Sequence, residues 1–262
     1  QVVGGVSTTA DTTNLPSPLA GAKMWNSAAV IVNVTGMSGT WTVELQGTVA
    51  GVTGLPLMRR ASLTGTGRTT LANLCNSPCI PQPTHVLWDT TAGGGAGVTA
   101  TVDAVCKQYR GRIPGGRINS TDVVEGILAS TNGNVPGSGV NGITGADKLH
   151  TLSSNSTTTN PSVFAGLDRY NMWDAACYFL DVTGISGTYI VNVMGLIGGQ
   201  SVTIATSGSI TGVTKMAMTN NFFGCSPRPS HIHWDYVSGG GTGLTCRVIA
   251  MAKSHRGQRH KI

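Results

Sequence analysis

Val34-Thr-Gly-Met-Ser-Gly-Thr-Trp-Thr-Val-Glu-Leu-Gln-Gly47 recurs as Val182-Thr-Gly-Ile-Ser-Gly-Thr-Tyr-Ile-Val-Asn-Val-Met-Gly195, identical at eight of fourteen positions and offset by 182 − 34 = 148 residues. Further on, Cys79-Ile-Pro-Gln-Pro-Thr-His85-Val-Leu-Trp88-Asp89 answers Cys225-Ser-Pro-Arg-Pro-Ser-His231-Ile-His233-Trp234-Asp235, with an offset of 225 − 79 = 146. The run Gly93-Gly-Gly-Ala-Gly97 answers Gly239-Gly-Gly-Thr-Gly243 at the same offset. Met24-Trp25 and Met172-Trp173 open the two copies, and Lys107 to Gly111 and Lys253 to Gly257 close them. Blocks that keep their order at a nearly constant offset are the signature of a duplicated unit.

Within each copy the pattern is that of strands. Trp41, Val43 and Leu45 alternate with Thr42, Glu44 and Gln46, the period of two that buries one face of a pleated strand. Val98, Ala100, Val102, Ala104 and Cys106 repeat the alternation, as do Leu244, Cys246, Val248, Ala250 and Ala252. No convincing helical pattern appears. The glycines of Gly36 to Gly39 and Gly184 to Gly187 read as tight hairpin turns, and Gly93 to Gly97 as a turn between the strand ending at Asp89 and the one starting at Val98. The expected fold is all-β: two tandem homologous antiparallel β-sandwich domains of jelly-roll type. The expected divisions are a polar N-terminal arm at 1–21, a first repeat at 22–112, a Gly/Ser/Thr-rich linker at 113–169 and a second repeat at 170–262 with a basic C-terminal tail. Val123 to Leu128, early in the linker, could add a strand to one sheet.

Composition agrees. Of 262 residues only 11% are charged and 5% aromatic, while 37 are Gly, which suits strands joined by turns. The longest apolar runs, such as Ala28 to Val32, are far too short for a membrane-spanning helix. The chain starts at Gln1 without Met or a signal sequence, which reads as a processed or incomplete start. The net charge of +6 is scattered apart from the tail holding Arg256, Arg259, His260 and Lys261, so nucleic acid is not the expected partner.

The chemistry-bearing residues are few. His85, Trp88 and Asp89 recur as His231, Trp234 and Asp235. On a strand His231 and His233 would share a face, a spacing able to ligate zinc or copper, but Leu87 stands where the second copy has His233, and no carboxylate or thiolate partner is in view. These two histidines are a weak metal candidate; no cofactor is expected. The tryptophans Trp25, Trp88, Trp173 and Trp234 read as core anchors, and Asp89 and Asp235 as acceptors for backbone N–H groups in a following turn. Of six cysteines only Cys79 and Cys225 correspond between the copies. Cys106, Cys177 and Cys246 align with Ala252, Ala29 and Ala100, so they read as buried thiols in Ala-sized core positions, with a Cys75–Cys79 or Cys79–Cys225 bridge left open. The eleven carboxylates are dispersed, and no Gly-x-Ser-x-Gly, His-Glu-x-x-His or phosphate-loop Lys is present, so no enzyme is expected. The Gly93–Gly97 cluster is followed by strand-like alternation, whereas a dinucleotide fingerprint needs a helix there.

With its duplicated Val-Thr-Gly-x-Ser-Gly-Thr-aromatic block and its Gly/Thr/Val-rich, charge-poor style, the chain resembles the accessory virion proteins of tailed bacteriophages: capsid decoration (cement) proteins and tail or fibre components. The resemblance implies a homo-oligomer, often a trimer, bound to other virion or shell proteins, and localisation in the virion. The expected function is therefore capsid decoration, with a tail, fibre or major capsid component as one alternative. A secreted or cell-surface adhesin, filament subunit or carbohydrate-binding module is the other.

Overall fold

The computed structural model describes residues 2–4, 24–25, 27–77, 80–92, 97–107, 121–132, 149–150, 155–159, 172–173, 175–223 and 225–255. The contacts divide the chain into two units: Gln1–Leu74 with Cys79–Tyr109, and Cys75–Pro78 with Arg110–Ile262. Most of the expected arm and most of the expected linker lie outside the described residues, as do Cys79, Gly93 to Ala96 and the last seven residues; Val2–Gly4 of the arm is a strand.

Unit 1 contains β1 (Val2–Gly4), β2 (Met24–Trp25), β3 (Ser27–Met37), β4 (Thr40–Val49), β5 (Val52–Leu63), β6 (Gly67–Thr70), β7 (Ala72–Asn73), β8 (Ile80–Pro81), β9 (Pro83–Ala92) and β10 (Gly97–Lys107). Unit 2 contains β11 (Thr121–Asn132), β12 (Leu149–His150), β13 (Asn155–Thr159), β14 (Met172–Trp173), β15 (Ala175–Ile197), β16 (Gln200–Ile210), β17 (Thr214–Ala217), β18 (Thr219–Asn220), β19 (Ser226–Pro227) and β20 (Pro229–His255). The fold is all-β, in several antiparallel sheets; β11 with β12 is a parallel pair.

In unit 1 two four-stranded sheets run in the orders β1-β10-β3-β6 and β7-β5-β4-β9. Val30, Val32, Val34, Val98 and Ala100 of the first are buried, as are Trp41, Val43, Leu45, Leu57, Val86 and Trp88 of the second. Alternation therefore reports the inward faces, except that Thr42 is buried as well. In unit 2 the strands corresponding to β3 and β4 are fused into β15, and those corresponding to β9 and β10 into β20. These two long strands pair antiparallel from Ala175↔Lys253 to Gly195↔Pro229. Tyr178, Leu180, Val182, Tyr189, Val191, Val193, Ile232, Trp234, Leu244, Cys246, Val248 and Ala250 close on one core.

The glycine segments do not make the expected hairpins. β3 pairs with β10 and β6, whereas β4 pairs with β5 and β9, so Gly36 to Gly39 carries the chain from one sheet into the other. In unit 2 the same segment lies inside β15, and Gly239 to Gly243 lies inside β20. Register shifts at Val182/Gly184, Ser186/Thr188 and Thr188/Tyr189 insert extra residues on one strand, which bends a paired ribbon without ending it. A Cβ on Gly239 would lie 2.6 Å from the Cα of Gly187, so the two backbones approach too closely there for any side chain. The true hairpin turns are Ala50-Gly51, between β4 and β5, and Gly198-Gly199, between β15 and β16, where both central residues have positive φ, as a twist-matched two-residue turn requires.

Several pairings recur at corresponding residues. Val43↔Trp88 is matched by Val191↔Trp234, and Trp25↔Ile80 by Trp173↔Ser226. A Cβ on Gly47 would strike Leu57 Cδ1 and the Gln82 carbonyl; one on Gly195 would strike Ile204 Cδ1 and the Arg228 carbonyl.

Candidate functional site

The repeated His-x-x-Trp-Asp segment forms part of β9 in unit 1 and the first part of β20 in unit 2. Trp88 and Trp234 point inward and are buried, together with Trp25, Trp41 and Trp173. Since stacking on a sugar needs an exposed ring face, none of the five offers one. The histidines and aspartates point the other way and are half-buried.

In unit 1 the outward side chains form a chain of polar contacts. His85 Nδ1 is 2.8 Å from Thr84 Oγ1, and its Nε2 is 2.9 Å from Gln46 Oε1, an atom that can only accept. Gln46 Nε2 in turn donates to Glu44 Oε1 at 2.6 Å, and Arg59 Nε lies 3.8 Å from Glu44 Oε2. Burial pushes the Glu44 carboxyl above the usual range; the Gln46 bond and the Arg59 charge oppose that push, and Asp89 adds to it. Asp89 lies inside β9, which continues to Ala92, so it does not cap a turn at that point.

Unit 2 keeps the histidine and changes its company. His231 Nδ1 is 2.8 Å from Ser230 Oγ, and its Nε2 is 3.4 Å from Ser201 Oγ. His233 Nε2 is 2.7 Å from Asp235 Oδ1, while Asn192 Nδ2 donates to Asp235 Oδ2 at 2.9 Å. The expected role of Asp235 is thus corrected: side chains of its own sheet hold the carboxylate in mid-strand, because no turn follows it. Burial, and after it the neighbouring His233, holds the His231 imidazole below its ordinary pKa. Among the described residues no three His, Cys, Asp or Glu side chains converge into a ligand set.

A larger difference lies at the strand edge. In unit 2, β13 pairs antiparallel with β20 from Asn155↔Asp235 to Thr159↔His231, alongside the histidine segment. In unit 1, β9 is the last strand of its sheet, and among the described residues no strand lies beyond it. Sequence reasoning looked at side chains and missed this edge. The signal was present: Thr12-Thr13-Asn14-Leu-Pro16-Ser17-Pro-Leu-Ala20-Gly21 resembles Thr158-Thr159-Asn160-Pro161-Ser162-Val-Phe-Ala165-Gly166, so the repeat reaches back into the segments that precede each copy.

The cysteines also depart from expectation. Cys246 fills a core position, as does its counterpart Ala100. Cys177 is buried too, but on the opposite face of its sheet, where the corresponding Ala29 is exposed. It fills no Ala-sized gap; it meets Cys75 and Ser77. Cys225 is exposed, and both proposed bridges through Cys79 fall outside the described residues.

No protein-family profile matches the chain, and no curated protein matches it in sequence. Among solved structures it weakly resembles the PBSX exported protein XepA, with a TM-score of 0.25 and 12% identity over 97% of this chain and 85% of that one. It also weakly resembles a chain from the infectious bursal disease virus Gx strain, with a TM-score of 0.26 and 12% identity over 89% of this chain and 57% of that one.

Proposed function

We propose that this chain is a non-enzymatic structural protein of a virion, of the capsid decoration type, built from two homologous jelly-roll-like sandwich domains that associate with copies of themselves and with a shell. The observation that carries the proposal is the pair of unequal edges: β20 is covered by β13, while among the described residues β9 ends its sheet. The free edge of an outermost strand presents a row of N–H and C=O groups that can accept another strand, a common mode of subunit attachment. The matching segments before each copy nominate the occupant of β9, the N-terminal arm of the same or a neighbouring copy. Pairings that recur at corresponding residues favour the duplication, and the outward histidines, held by hydroxyl, amide and carboxylate neighbours, suit a polar contact surface.

Mass spectrometry of purified particles tests the role directly. The chain should be present at a copy number that is a regular fraction of the shell subunits; a handful of copies per particle would indicate a tail or fibre, and complete absence would sink the proposal. Replacing Thr12 and Thr13 by Pro, which bars strand pairing by that segment and leaves β1 in place, should weaken attachment or self-association while both units remain folded. Unchanged association would remove the arm from the account.

A further inference from the structure

Cys75, Asn76 and Ser77 belong to the first copy in sequence but pack into unit 2. Each is tied there. Asn76 Nδ2 donates to the Asn220 carbonyl at 2.9 Å, and Asn220 Nδ2 donates to the Ala176 carbonyl at 3.0 Å. One residue further along β15, the Cys177 thiol is in side-chain hydrogen-bond contact with both Cys75 and Ser77. Both thiols are wholly buried. Asn76 itself holds a positive φ of 45°, a conformation that Asn tolerates better than most residues and that turns the short segment onto the strand.

We propose that Cys75 and Cys177 form a disulfide that staples the Cys75–Pro78 segment to β15 when the protein folds in the presence of a low-molecular-weight disulfide. The thiolate of one cysteine attacks oxidised glutathione and expels a glutathione thiolate, leaving a mixed disulfide. The second cysteine's thiolate then attacks the protein sulfur of that mixed disulfide and expels the other glutathione. Two protein thiols thus lose two electrons and two protons, and one oxidised glutathione becomes two reduced ones. Burial disfavours the Cys177 thiolate, so the exchange belongs to folding, before the site closes; once formed, the bridge is sheltered from reductant. Neither cysteine recurs in the other copy, where Phe222 and Ala29 stand, so the bridge belongs to this segment of unit 2 and not to the repeated fold.

The full chain should be refolded from its reduced, denatured state, once with a reduced/oxidised glutathione buffer and once with reductant alone. The first product should weigh about 2 Da less per bridge formed and, digested without reduction, yield a peptide joining Cys75 to Cys177. That cross-link should persist in Cys79→Ser and vanish in Cys177→Ala, which installs the residue the first copy carries at position 29. The bridged form should melt about 5–15 °C above the reduced form. The proposal is overturned if both thiols of the folded, glutathione-treated protein remain open to alkylation after denaturation, or if Cys75 is found bonded to Cys79.

Discussion

The sheet formed by β3 and β10 and its counterpart in unit 2 share a pairing pattern and differ on their outer faces. In unit 1 that face carries Ala29, Ile31, Thr101 and Asp103, all exposed. In unit 2 the corresponding positions are Cys177, Phe179, Arg247 and Ile249, and all but Arg247 are buried. Buried Asp181 replaces Asn33, its Oδ2 accepting from Arg247 Nη2 at 3.0 Å, and Cys75 and Ser77 lie against Cys177. One backbone plan thus serves a sheet buried on one face and a sheet buried on both. The side chains that alternate with the shared inward set differ accordingly: Ala, Thr and Asp with a single Ile on the exposed face, against Phe, Ile and a thiol on the covered one.

If the inward sets are equivalent, removing their anchors should cost the same in both units. Trp88→Ala and Trp234→Ala should each lose about 3–5 kcal/mol, with hydrogen exchange accelerating only in the unit that carries the change. Unequal losses would break the equivalence. Trp88→Phe should cost far less, because the buried indole N–H of Trp88 has no hydrogen-bond partner among the described residues and Phe abolishes its desolvation cost.

The edges allow a finer test of the comparison. In the isolated chain, the amides of His85–Asp89 that point away from β4 should exchange about tenfold faster than those of His231–Asp235 that point toward β13, then slow on assembly. Equal protection in the dilute chain would mean that the β9 edge is already covered.

The smallest effect expected is the pH dependence that His231 gives unit 2. His231 binds a proton less well in the fold than its ordinary value of 6.5 implies. The stability linked to that depressed value is present above pH 6.5 and is lost as pH falls through the lower folded value. The melting temperature of unit 2 should therefore decline on acidification, more steeply than in His231→Gln; a slope that the substitution leaves untouched would assign the dependence to other groups.

Sequence by itself determined the all-β class, the inward faces of β4 and of the last part of β20, the duplicated blocks and the burial of the tryptophans, because a period of two is a local property of the chain. It misassigned Gly36–Gly39 and Gly184–Gly187 as hairpins, since a glycine permits a reversal and a bulged bend equally and only the strand across the ribbon distinguishes them. Ala50-Gly51 and Gly198-Gly199, the real reversals, carry a weaker glycine signal in the first copy. Cys177 escaped for a related reason: aligned with Ala29, it looked like a core filler. Only the tertiary structure could show that a segment one hundred residues away in the chain meets its side chain. Which face of a strand turns inward is written in its own alternation; what covers the other face, and what pairs with each edge, depends on long-range packing that no local pattern encodes.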